Sequence, residues 1–184
     1  KQHTRNYLAH EYFNRDWVPM SFTRMTPWLQ DAKLSFACSA HYLDHVDAIN
    51  LTADQQKLLG EIPDRMFRET VRDFIMNSQF RRDYWVRGAR QLTPMERVEG
   101  MRRQRLVLAV PRAQVTMKVT GAMGEGNMHE DIYGPILRFM SDHRVHTFHE
   151  IERAVAGSQI TYAGLLVALM ILVGKGTGYA GQDE

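Results

Sequence analysis

Residues 115–134 read VTMKVTGAMGEGNMHEDIYG, and the fold class turns on them. A β-branched run, three glycines within six positions and then a helix-forming segment is the local order of a nucleotide or S-adenosylmethionine loop. Such a loop follows a central parallel strand and leads through a helix to the next strand. Here RLVLAVP (105–111) and QVTMKVT (114–120) are two β runs joined by a few residues, a distance that permits an antiparallel hairpin. The chain after the glycines reads as helices, with no strand–helix–strand alternation. The glycine order, Gly121-x-x-Gly124-x-Gly126, also departs from G-x-G-x-x-G. Asp142 stands where a ribose-binding acid is expected, but at a helix end rather than a strand end. Residues 121–127 are therefore read as a glycine-rich linker between a module at 1–120 and a second at 128–184, with no cofactor-binding residue.

On either side of this stretch the chain is mostly helical. Thr52–Gln55, Thr93–Glu96 and Thr147–Glu150 each match the capping box, in which the hydroxyl takes one orphan N–H and the Glu or Gln another. Pro94 sits at a first helical position, where its missing donor costs nothing. Tyr7–Trp17 predicts a helix. The next starts at Thr23 or Thr26, with Pro27 favouring Thr26. Asp64–Gln79 predicts an amphipathic helix with Phe67, Val71, Phe74, Ile75 and Ser78 on its apolar face. LSFACSA (34–40) and FRRDYWVRG (80–88) read as strands. Residues 128–142, 147–156 and 160–173 predict three helices, and GKGTGYAG a glycine-rich turn with a short strand. The expected fold is α+β, mainly α: a helical module with a small, largely antiparallel sheet, then a winged-helix-like three-helix module.

The chain has 184 residues, 44% hydrophobic and 24% charged, which supports a buried core and excludes disorder. A net charge of +2 implies neither nucleic acid nor membrane. The longest apolar run, GLLVALMILVG, holds nine apolar residues between its glycines, about half of a span that needs roughly 20. Cys38 is the single cysteine, so no internal disulfide forms, and a cytoplasmic location is expected. KQHTRNYLAHEYF has no apolar signal core.

Several residues invite a chemical reading. His41 and His45, with Asp44 and Asp47 nearby, have metal-ligand spacing on a helix but no convincing third ligand. Cys38 beside His41 suggests a thiol nucleophile, yet it stands in an apolar β run where a thiol is usually inert. His143, His146 and His149 are interrupted by the helix cap at Thr147. No catalytic or metal-binding residue is assigned. Nine arginines against three acids between Arg81 and Arg112 form a basic segment interleaved with Tyr84 and Trp85. Six acids against two arginines lie between Glu125 and Glu152. The basic segment is read as a docking surface, with Arg81, Arg82, Asp83, Arg87 and Arg90 as candidate partner-binding residues. The alternative is a nucleic-acid-binding winged-helix module using the same arginines. The helix that would enter the groove, ITYAGLLVALMILV, carries no charge and argues against it.

NYLAHEYFNRDWVPMSF, SFACSAHYLDHVDAINLTADQQKLL and FRETVRDFIMNSQFRRDYWVRG together resemble the predicted methyltransferase regulatory domain. That region follows the S-adenosylmethionine-binding domain of bacterial class I methyltransferases, including relatives of the rickettsial protein lysine methyltransferases. The resemblance covers about Tyr7 to Arg90. The tail with EDIYGPILRFM resembles, more by pattern, the winged-helix-like C-terminal region of the same proteins. Pro27 departs from the family, whose sequences are plain helix there. The resemblance implies a parent enzyme that transfers methyl from S-adenosylmethionine to a protein side chain, with the cofactor domain ahead of Lys1. It implies a non-catalytic role for this chain: covering the active site, positioning substrate or joining subunits. The implied partners are that N-terminal methyltransferase domain, a protein substrate and a second copy of the chain.

Overall fold

The computed structural model describes residues 5–13, 15 and 18–181. Helix α1 (Arg5–Tyr12) is followed by α2 (Phe22–Asp31). Trp17, expected within the first helix, lies outside the described residues. The expected start of α2 is corrected: Ser21 is the N-cap, accepting from the Arg24 N–H, and Pro27 lies inside the helix. A serine hydroxyl that satisfies a first-turn donor starts the helix ahead of the position proline favours.

Strands β1 (Leu34–Ser39) and β2 (Asp83–Arg87) pair antiparallel, with Phe36 opposite Trp85 and a bulge between Phe36 and Cys38. Between them come a 3-10 turn (Tyr42–His45), α3 (Asp47–Asn50), α4 (Ala53–Glu61) and α5 (Arg65–Met76). Helix α2 packs on both β1 and α5. Phe22, Phe36 and Trp85 meet with ring centroids 4.9 to 5.6 Å apart. The buried Thr70 of α5 accepts from the Thr23 N–H, which fixes the inner face of α5.

Helix α6 (Pro94–Arg102) precedes β3 (Arg105–Leu108), β4 (Lys118–Gly121) and β5 (Gly124–Asn127). Then follow α7 (Glu130–Phe139), β6 (His146–Thr147), α8 (Phe148–Ala154), α9 (Tyr162–Gly174) and β7 (Gly178–Gly181). The expected pairing of β3 with β4 does not form. β3 is the central strand of an antiparallel β6-β3-β7 sheet. Its Leu106 and Leu108 are buried in a core that includes Ile136, Ile151 and Leu169 from α7, α8 and α9. Burial of those side chains against the helices outweighs the proximity of β4 along the chain.

β4 pairs instead with β5, through a turn at Ala122–Met123. Residues 121–127, expected as a linker, are thus hairpin. Gly121 backs onto α3, where an added Cβ would overlap the Ile49 carbonyl. This explains its glycine by close backbone approach rather than by a phosphate. Gly124, the first residue of β5 after the turn, has φ of 106°, a region open to glycine. Val46, Leu106, Leu108 and Val119 share one core with Met128 and the helices that follow. The architecture is α+β and mainly helical, with small antiparallel sheets. All three capping boxes form as expected.

Candidate functional site

Helix α5 ends where Asn77 takes a left-handed conformation (φ 52°), and the chain turns back into β2. That reversal brings Arg81 beneath the helix it has just left. Glu69 and Asp73, four apart and on one face of α5, receive its Nη2 and Nη1, each at 2.8 Å. Asp83 of β2 takes its Nε at 2.9 Å and Nη2 at 3.0 Å. The guanidinium lies 4.3 Å from the Phe22 ring centroid. Three carboxylates therefore surround one cation at the edge of the aromatic core. Burial pushes the Asp73 carboxyl above its ordinary value; Arg81 opposes this, and Glu69 and Asp83 reinforce it. Burial alone would lower the pKa of Arg81, but its hydrogen bonds to Asp83 and Glu69 hold it above the ordinary value.

A polar cavity of about 310 Å³ opens beside this node. Its cations have acceptors within the fold: Arg72 pairs with Asp47 at 2.6 Å, and Arg65 donates to the Ala37 carbonyl at 2.6 Å. A second cavity, of about 340 Å³ and mostly apolar, shares Cys38, Ser39 and His45 with the first.

The structure separates the five candidate docking residues. Arg81 and Asp83 meet in the inner node, where the Asp83 side chain is only 4% exposed. Arg82, Arg87 and Arg90 are exposed. Arg87 donates to the Ala32 carbonyl at 3.1 Å and Arg90 to Glu96 at 3.0 Å. The basic and acidic segments touch each other within the fold. Arg102 forks onto Glu152 at 2.8 and 2.9 Å, and Arg112 reaches Glu130 at 3.4 Å. Lys175, the one lysine of GKGTGYAG, turns inward to the Thr116 carbonyl at 2.5 Å.

The histidines go separate ways. His41 contacts Asp44 at 3.2 Å, while His45 meets the Ser39 carbonyl at 2.9 Å from a 3-10 turn. His143 bonds the Leu108 carbonyl and His146 bonds Asp142, both at 2.9 Å. Among the described residues, no group of three or more His, Cys, Asp or Glu side chains is placed to hold a metal ion. Among them, too, no helix is long and apolar enough to cross a membrane.

One surface escaped the sequence reading. Phe67 and Phe74 are 53% and 79% exposed, on one face of α5, because Thr70 and its neighbours take the inner face. Phe80 is 84% exposed. The seven-residue spacing of Phe67 and Phe74 was legible. Their exposure was not, because an apolar face at helical period reads as a buried one.

The fold and its sites define a class first: an α+β domain whose arginines are largely tied to its own acceptors and whose open features are surfaces and cavities. Residues 4–87 match the family described as the predicted methyltransferase regulatory domain. Over all 184 residues the chain is 38% identical to the uncharacterized protein sll1526 of Synechocystis sp., of which it spans 36%. Its fold is similar to that of PKMT2 from Rickettsia typhi, with a TM-score of 0.60 and 13% identity over 100% of this chain and 40% of that one. The same protein in complex with AdoHcy gives a TM-score of 0.61, with 39% of that chain covered. At such identity the likeness shows the fold alone. The chain thus spans between 36% and 40% of the length of these relatives.

Proposed function

We propose that this chain is the non-catalytic accessory region of an S-adenosylmethionine-dependent methyltransferase that acts on a protein, working in the cytoplasm. The match of residues 4–87 to a methyltransferase regulatory family carries this reading. The accessory work is docking: Arg82, Arg87 and Arg90 along the β2 edge, with Phe67 and Phe74 on α5, form the surface that meets the catalytic domain or the protein substrate. Arg81 and Asp83 hold that edge in place from within. The part from Met128 is read as a winged-helix-like unit. Its helices α7, α8 and α9, with β6 and β7, follow winged-helix order, and β3 from upstream stands as the third strand. It serves assembly rather than nucleic-acid reading, since α9 is apolar and Lys175 is turned inward.

Calorimetric titration of the chain with S-adenosylmethionine is expected to give no heat of binding, and micromolar binding overturns the non-catalytic reading. In the parent protein, Arg82→Ala with Arg87→Ala and Arg90→Ala is expected to lower methylation of a protein acceptor at unchanged cofactor affinity. Salt-sensitive binding of DNA by this chain, lost in the same variant, would instead support nucleic-acid binding.

A further inference from the structure

Strands β1 and β2 form a two-stranded sheet, so each has one edge turned away from the other. The β1 edge is closed by side chains of the fold. Arg65 donates to the Ala37 carbonyl at 2.6 Å, and His45 donates to the Ser39 carbonyl at 2.9 Å. The β2 edge is open. The Ala40 N–H donates to the Arg82 carbonyl at 2.7 Å, which turns the Arg82 backbone toward β1. Alternate residues of an antiparallel ladder face the partner strand, and the bulge lies on β1, so the alternation along β2 is unbroken. Tyr84 and Val86 therefore bond β1, while Asp83, Trp85 and Arg87 turn their N–H and C=O groups outward. Among the described residues, none of these outward groups has a protein partner. β1 is the element that packs along β2. An open row of backbone donors and acceptors is a template for one more strand.

The side chains of β2 set the composition of that strand. Arg82, Tyr84 and Val86 share one face of β2, and all three are exposed. Cross-strand neighbours of Tyr84 and Val86 are best apolar. Among the described residues, neither Arg82 nor Arg87 has a carboxylate partner; Arg87 donates to the neutral Ala32 carbonyl, which leaves its charge uncompensated. A second copy of the chain would bring the same cations to this edge, and like charges across a strand pair are destabilising. An acidic strand is favoured instead. Resting on the reading that this chain docks a protein substrate, we propose that the β2 edge takes an extended segment of that substrate as an added antiparallel strand. Its apolar side chains lie over Tyr84 and Val86, and an acid lies beside Arg82.

The probe is the acetylated and amidated peptide TVTVTET, titrated into the full chain. Laid antiparallel, it sets its valines opposite Val86 and Tyr84 and its glutamate opposite Arg82. Saturable binding is expected, with slowed amide hydrogen exchange at Asp83, Trp85 and Arg87 followed by nuclear magnetic resonance. N-methylation of the third and fifth peptide residues, whose N–H groups face β2, is expected to weaken binding on the order of tenfold or more. N-methylation of the second and fourth, which face away, is expected to leave it intact. Arg82→Glu is expected to weaken binding about fivefold, and a peptide with lysine in place of its glutamate to recover it. Absence of saturable binding, equal binding by the two methylated peptides, unchanged exchange at these amides, or no recovery by the lysine peptide each overturns strand addition. A fall in methylation by the Arg82, Arg87 and Arg90 variant would then still support docking by side chains, so the two readings fail separately.

Discussion

The Ala122 N–H donates to Oδ1 of Asn50 at 3.0 Å, across 72 residues of sequence. The Asn50 amide donates in turn to the carbonyls of Leu43 at 2.7 Å and Val46 at 3.0 Å. One buried side chain thus satisfies three backbone groups and holds the glycine hairpin against α3. Asn50→Leu strands the Ala122 N–H, while the Leu43 and Val46 carbonyls keep their bonds from the Val46 and Ile49 N–H groups. The expected cost is about 1–3 kcal/mol, the range for leaving a buried polar group unpaired, measured by urea denaturation. A loss below about 0.5 kcal/mol would show that water replaces the side chain.

Gly121 makes the same contact from the other side. Gly121→Ala forces a Cβ to within 2.8 Å of the Ile49 carbonyl carbon, and backbone there cannot yield cheaply. A loss of more than about 2 kcal/mol is expected. Gly100, inside α6 with nothing within 4 Å of an added Cβ, is the control. Gly100→Ala is expected to stabilise by about 0.5–1 kcal/mol.

Arg81→Met leaves Glu69, Asp73 and Asp83 gathered without their cation. Breaking a buried pair by removing one partner costs about 3–5 kcal/mol, and this variant is expected to fall there. Asp73→Asn acts oppositely with pH. Folded Asp73 binds its proton more tightly than unfolded Asp73, chiefly through burial. Its contribution to stability is therefore full below the ordinary carboxyl range and is lost as pH rises through the raised folded value. Asparagine cannot undergo that loss. Relative to the unaltered protein, Asp73→Asn is expected to gain stability between acid and neutral pH, followed by thermal melts across that range. A difference independent of pH would sink the assignment.

Thr147 caps α8, and Thr147→Ala is expected to cost about 1 kcal/mol. Hydrogen bonds from the Thr147 backbone and side chain hold Glu150 below its ordinary value. That part of the stability is present above the ordinary carboxyl range and is lost as pH falls through the lowered folded value. Thr147→Ala is therefore expected to show a shallower acid destabilisation than the unaltered protein, checked by the same melts.

Phe67→Ser with Phe74→Ser tests the exposed face of α5. With both rings largely in water, stability should change by no more than about 0.5 kcal/mol per site. If the proposed function holds, methylation of a protein acceptor by the full-length protein should fall. Analytical ultracentrifugation separates loss of activity from loss of assembly. A fall in melting temperature without loss of activity would assign the rings to the fold instead.

Much of the architecture was legible because it rests on contacts within a turn or two. Thr52, Thr93 and Thr147 cap the helices their sequences announce, since the partners lie three residues away. The uncharged, continuously apolar run within residues 160–173 likewise marked a buried helix. The candidate site was only partly legible. Arg81 stood out as one of nine arginines, but its neighbours Glu69 and Asp73 come from a helix that must first fold back over it.

By itself the sequence determined most of the helices, the three starts that carry capping boxes, the family resemblance and a glycine order that departs from G-x-G-x-x-G. Each follows from neighbours along the chain or from residue type. Tertiary structure decided the rest. β3 chose β6 and β7 over the nearby β4 because Leu106 and Leu108 needed the cover of distant helices. Thr70, rather than Phe67 or Phe74, met α2 because a threonine hydroxyl had a partner there. Gly121 is glycine because Ile49, far away in sequence, leaves no room for a side chain. Such choices depend on which surfaces meet, and no local pattern encodes them.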